Sequence, residues 1–310
     1  MLPRPSALLL LMAALACLVL AACGDDGEDE VAEIVYEASG IAGGVQVTNV
    51  FVVDPETFET RQLTDAEGYD GQPAWTPGRE RIMFISDRGQ ERNMTDIYTM
   101  LPDGRDVQRV TSTPDQAERS PKFSPDGERI AVVVNKDSQY WLGIIAPDGS
   151  GEELIAGPYD FIEFPAWTRD GALIYFAAIT DDSQSIDILS VDPQTREVRV
   201  RISTPSPDVC PHFTHDGEYM TYARSPVSPN EEPDVFRHDL DSDDTTGADD
   251  VRLTDSPGRD DYANPSPDDE QFVFLSNRDG NFDLYLMDAD GANVRKLTST
   301  PDLRENVPDW

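Results

Sequence analysis

Lysine is almost missing from this chain of 310 residues. Lys122, Lys136 and Lys296 are the only three, and 24 basic residues in all stand against 60 acidic ones, for a net charge of −36. A surface this negative repels phosphate backbones, which argues against direct nucleic-acid binding. The acids hydrate a turn-rich surface, the alternative being a docking face for cations or a basic partner. Cysteine is scarce too. Cys17, Cys23 and Cys210 offer no disulfide framework, and Cys210, next to Pro211, reads as a buried structural thiol. The longest apolar run, residues 8–20, is short for a membrane span. No G-x-S-x-G, S-x-x-K or phosphate-cradling glycine loop occurs, which counts against a peptidase carrying its own hydrolase.

What is abundant is turn chemistry: 24 prolines and 21 glycines, as many short strands require. One unit recurs. Ser120 to Val134 reads SPKFSPDGERIAVVV, and related stretches begin at Gln72 (QPAWTPGRERIMFIS), Phe164 (FPAWTRDGALIYFAA), Cys210 (CPHFTHDGEYMTYA) and Asn264 (NPSPDDEQFVFLS). The residue before each turn is Trp75, Phe123, Trp167, Phe213 or Pro265, with Trp310 last, at spacings of 48, 44, 46, 52 and 45. Each interval holds four extended segments, the content of one propeller blade. The final VPDW supplies only a first strand, and residues 34–64 supply the other three. The fold expected is therefore all-β: a six-bladed β-propeller of four-stranded blades over residues 31–310, closed by a composite blade from both termini. Blade five carries Pro265 and Asp268-Asp269 in place of the aromatic and Asp-Gly, so a looser first strand is expected there. In blade four residues 239–250 (DLDSDDTTGADD) read as a solvated loop, with a calcium loop as the alternative.

The first 22 residues read as a leader, with Arg4 ahead of the apolar run. Leu20-Ala21-Ala22-Cys23 resembles the lipobox of bacterial lipoproteins, which implies a lipid on Cys23. An ordinary secretory signal with an incidental cysteine is the alternative. Residues 23–30 read as an acidic tether. Gly24 after the cysteine favours the outer membrane, on its periplasmic side or at the cell surface.

Arg109 to Thr111 (RVT), Glu118 to Gly127 (ERSPKFSPDG), Arg252 to Thr254 (RLT) and Ser276 to Gly291 (SNRDGNFDLYLMDADG) together resemble the repeats of the TolB propeller family. The resemblance implies an envelope-associated propeller. No counterpart of the additional N-terminal domain of TolB itself is expected here.

Cys210-Pro211-His212-Phe213-Thr214-His215 suggests a zinc or manganese site. The repeat register instead gives His212 and His215 the variable slots of Lys122 and Pro125, and His238 lies in another strand. A second set is more regular. Asp70, Glu118, Asp208, Asp260 and Glu305 stand three places before the repeat-proline slot, which holds Ala263 in blade five, with Glu163 one place off. At the starts of innermost strands they would gather at one channel mouth, to hold a cation or a basic partner segment, or would bond locally to loops and arginines. The function expected is a non-catalytic, lipid-anchored scaffold, monomeric, binding a protein or cell-wall-associated partner at its channel mouth. No cofactor is expected, calcium being the candidate if there is one. The alternatives are a metal-dependent propeller enzyme such as a polysaccharide lyase, and a propeller that senses calcium or a small ligand.

Overall fold

The computed structural model describes residues 32–90, 94–180, 185–226 and 232–310. The segments expected to be a leader and a tether, with Cys23, fall outside them. Among the described residues no helix is long and apolar enough to cross a membrane.

Six four-stranded antiparallel sheets form the six blades. The innermost strands are Asp70–Trp75, Ala117–Phe123, Ile162–Trp167, Asp208–Phe213, Asp260–Pro265 and Arg304–Asp309. The last of these pairs with Ile34–Ala42, which pairs in turn with Val45–Val53 and through it with Thr60–Gln62. The two ends of the chain thus complete one blade.

Each blade is covered on both faces by its neighbours, so its inner strands read as continuous apolar runs rather than alternating ones. Ile82–Ser86 and Ile174–Ala178 are buried at every position. Six apolar clusters result, one per blade interface. The repeat aromatics fill these wedges: Trp75 packs against blade six, Phe123 against blade one, Trp167 against blade two and Phe213 against blade three. Truncating such a side chain to alanine costs about 3–5 kcal/mol.

The glycine of the outer Asp-Gly turn has a separate duty. Gly104, Gly149 and Gly291 have φ of 83°, 80° and 84°. A Cβ on them would stand 2.6, 2.2 and 2.5 Å from the carbonyl oxygens of Leu63, Val110 and Leu253 in the preceding blade. Only glycine allows both the left-handed turn and this approach.

Two sequence expectations need correction. The innermost strand of blade five is as long as its counterparts and pairs from Asp260↔Ser276 to Pro265↔Phe272, because Ser266 and Asp269 close the turn that Asp-Gly closes elsewhere. Residues 239–250 are not merely a solvated loop. The Asp250 side chain is buried, accepting a 2.7 Å bond from His238 Nδ1 and another from the Tyr222 hydroxyl. Arg224 Nη1 reaches the Gly247 carbonyl at 3.3 Å. A charge in the loop is thus neutralised inside the blade, which composition cannot reveal.

Candidate functional site

The candidate site is the channel, and one irregularity of the backbone builds it. The residue just before the repeat-proline slot, which Ala263 fills in blade five, is left-handed in every blade: Gln72, Ser120, Phe164, Cys210, Tyr262 and Val307 have φ of 47°, 47°, 59°, 58°, 53° and 46°. Non-glycine residues there each cost about 1–2 kcal/mol, so the surrounding sheet must hold them. A register shift accompanies each one, as between Gly71 and Ala74 or Arg119 and Lys122. It is a β-bulge repeated with the blades, and it re-aims the side chains on either side of it.

The result is a plug with a funnel on one side. Gln72, Ser120, Phe164, Tyr262 and Val307, with Pro73, Pro121, Pro165 and Pro211, close around a cavity of only about 30 Å³. Beyond it opens a funnel of about 600 Å³, on the face of the Ser-Pro-Asp-Gly turns. The residues one place after the proline form its floor: Ala74, Lys122, Ala166, His212, Asn264 and Asp309. Arg79, Arg169 and His215 stand higher on its wall.

The floor is internally paired. Lys122 Nζ bonds Asp309 Oδ1, which also takes Asn264 Nδ2 at 3.3 Å, while Asp309 Oδ2 accepts the Trp75 N–H at 2.8 Å. Burial opposes the charge of Asp309, but Lys122 and these donors keep its carboxyl below the usual range. His212 is the converse case. Burial, and then the Lys122 charge, push its pKa down to about 4, so it is neutral at pH 7. Its Nδ1 lies 3.1 Å from the Cys210 carbonyl. A carbonyl only accepts, so Nδ1 carries the proton and Nε2 is left as an acceptor.

On the far side of the plug lies a second polar layer. Glu37 Oε2 accepts the Tyr69 hydroxyl and the Gln72 N–H, both at 2.8 Å, and its Oε1 takes Asn306 Nδ2 at 3.1 Å. Glu163 is held by Ser120 Oγ at 2.5 Å and Arg119 Nε at 2.9 Å. Asp261 takes Arg259 Nε at 2.6 Å. Burial raises the pKa of all three carboxyls.

The five carboxylates singled out in sequence sit at the starts of innermost strands, and each is at most 2% exposed. Their oxygens turn into the blades. Asp70 pairs with Arg88 at 2.5 Å, Asp208 with Arg224 at 2.8 Å and Asp260 with Arg278 at 3.1 Å. Glu118 takes Thr111 Oγ1 at 2.8 Å and the Thr113 hydroxyl, both from the blade before. Glu305 repeats that clasp with Thr300 Oγ1 at 2.7 Å and the Thr298 hydroxyl. Local bonding to arginines and loops, one of the two readings of this set, describes their geometry.

Regular alternation would put Cys210 and His212 on one side of their strand. The bulge separates them: His212 faces the funnel, while Cys210 is 1% exposed and contacts Tyr262. His215 bonds Asp269 at 3.1 Å, and His238 lies in the outer part of blade four. Among the described residues no group of three or more His, Cys, Asp or Glu side chains is placed to hold a metal ion. The floor residues Lys122, Asn264 and Asp309 were not picked out in sequence. Their signal is that the slot after the proline varies from blade to blade while its neighbours repeat.

Residues 42–208, more than half of the chain, match the model of the TolB beta propeller domain. Two curated relatives are the uncharacterized peptidase YuxL of Bacillus subtilis, 24% identical over 57% of this chain, and the Tol-Pal system protein TolB of Nitratidesulfovibrio vulgaris, 24% identical over 47%. The chain spans 25% of the first and 32% of the second. Among solved structures, TolB from Acinetobacter baumannii superposes with a TM-score of 0.76 at 18% identity, over 90% of this chain and 66% of that one.

Proposed function

The chain belongs to the TolB beta propeller family, and from that membership and the form of its channel we propose a binding scaffold that takes a protein partner in the funnel. The observation that carries this reading is the plug. Six left-handed residues and the ring of prolines stop the channel beneath a floor in which Lys122, Asn264 and Asp309 already satisfy one another. Such a floor is rigid and shaped, and it presents His212 Nε2 and the exposed Arg169 to an incoming segment. It is a recognition surface, with pre-organisation in place of moving parts. The name of the TolB relative, a Tol-Pal system protein, accords with a partner that is itself a protein.

On this reading residues 1–22 are removed as a leader, Cys23 carries lipid, and the propeller works in the bacterial envelope. The buried carboxylates Asp70, Glu118, Asp208, Asp260 and Glu305 act through the fold, as clasps within and between blades.

The test is cross-linking and co-purification from solubilised membranes, comparing the wild-type chain with Arg169→Glu. A partner held by the wild type and lost by the variant, with the melting temperature unchanged, supports the funnel. Equal capture by both removes it. A parallel thermal shift in calcium and in manganese separates this reading from the metal-dependent ones, which require a rise in melting temperature.

A further inference from the structure

Propellers end each blade in an outer strand with one side unpaired, and here those edges differ. Blades one, four and five end in strands of two residues, Gln108–Arg109, Val251–Arg252 and Arg295–Lys296, and blade six in three, Thr60–Gln62. Blade two has seven residues, Glu153–Tyr159, but Pro158 interrupts the edge. Short strands and prolines are how sheets blunt their edges. Blade three uses neither of these two devices, although a bulge leaves Arg201 without a cross-strand partner in its edge strand. Val198–Ile202 runs five residues without proline and stands at the end of its sheet.

Its side chains are unusual for this protein. Val198 and Val200 are 39% and 46% exposed. Arg196, Arg199 and Arg201 fall within six residues of a chain whose net charge is −36. Arg199 pairs with Glu197 at 2.8 Å, but both side chains are more than half exposed, so that pair contributes little. Arg201 is tied inward by a 2.8 Å bond to Ser190 Oγ. One amide beyond the strand, Ser203 N already donates to a main-chain carbonyl from outside the sheet, that of Thr245, at 2.8 Å. Thr245 belongs to the acidic insertion of blade four, residues 239–250.

We propose that the open edge of Val198–Ile202 is a strand-addition site for an acidic β-strand of a partner protein, one in which carboxylate side chains alternate with aliphatic ones. Main-chain bonds to the edge supply affinity, and alternate side chains supply selection. Carboxylates meet Arg199 and Arg201 on one face, and aliphatic groups meet Val198 and Val200 on the other. A second copy of this chain does not fit, because antiparallel self-pairing sets arginine against arginine. The overall negative charge slows the approach of such a partner. At physiological salt, however, it is screened beyond about 8 Å, so the arginines govern the contact itself. The site is independent of the funnel.

The experiment is hydrogen exchange on the full chain with a capped octapeptide alternating glutamate and valine, and with its lysine–valine counterpart. The glutamate peptide is expected to slow exchange over 198–202 about tenfold at saturation, and the lysine peptide to leave it unchanged. Arg199→Glu with Arg201→Glu should exchange the two preferences. The proposal is overturned if the glutamate peptide gives no protection there, if the lysine peptide protects equally, or if protection appears without peptide as protein concentration rises.

Discussion

Replacing Glu118 by glutamine removes a buried ionisable group while keeping an oxygen to accept a bond. Glu118 is 2% exposed and receives the hydroxyls of Thr111 and Thr113, which fastens blade two to blade one. Burial raises its pKa from 4.5 to about 7, those hydroxyls opposing the rise and the charge of Asp96 adding to it. A carboxyl whose pKa is higher folded than unfolded binds its proton more tightly in the fold. Its contribution is therefore fully present below about pH 4.5 and is lost as pH rises to about 7. The gap corresponds to about 3 kcal/mol, to order of magnitude. Glutamine cannot ionise. Its Oε1 accepts one threonine hydroxyl, and its amide donates to the other once that hydroxyl rotates. Glu118→Gln should leave stability at pH 4.5 within about 1 kcal/mol of the wild type and raise it at pH 8 by up to about 3 kcal/mol. Urea midpoints at pH 4.5, 6, 7 and 8 measure this. Glu305→Gln, whose parent also titrates near 7, should behave alike, with the two effects adding because the clasps lie in different blades. The wild-type profile alone is a poor guide, since His212, neutral in the fold down to about pH 4, contributes with the opposite sign. The difference between variant and wild type is decisive. A Glu118→Gln protein less stable by the same amount at every pH would refute the reasoning, because no proton uptake by Glu118 would then be linked to folding.

Lys122→Met leaves the carboxylate of Asp309 buried beside two remaining donors, and should cost about 2–4 kcal/mol in urea unfolding. Adding Asp309→Asn should recover a good part of that, and no recovery would mean that the pair is not what Lys122 supplies. Gly149→Ala drives a Cβ to 2.2 Å from the Val110 carbonyl oxygen, whereas Gly89→Ala, with φ of 71°, meets nothing within 4 Å. The second should cost about 1–2 kcal/mol for the left-handed backbone and the first clearly more; equal losses in melting experiments would remove the interblade approach from the account.

The architecture was legible in the residues because a propeller is quasi-repetitive: the turn around Phe123 and the aromatic wedges have to recur if each blade is to pack on the next. Register alone joined the two termini into one blade and placed His212 and His215 in variable slots of the repeat. It also located Asp70, Glu118, Asp208, Asp260 and Glu305 correctly along their strands. Which way those carboxylates point was not legible. A strand is expected to alternate, and the bulge at Gln72, Ser120 and their equivalents breaks that alternation with non-glycine residues in a left-handed conformation that no local propensity announces. The arginines and threonines that satisfy the acids lie elsewhere in the chain, in the next strand or the blade before. The sequence by itself therefore determined the number of blades, their order and the marker that binds them. Tertiary structure alone decided what faces the axis, because only closure of the ring holds six unfavourable backbones in place and brings Lys122, His212, Asn264 and Asp309 from four blades to one floor.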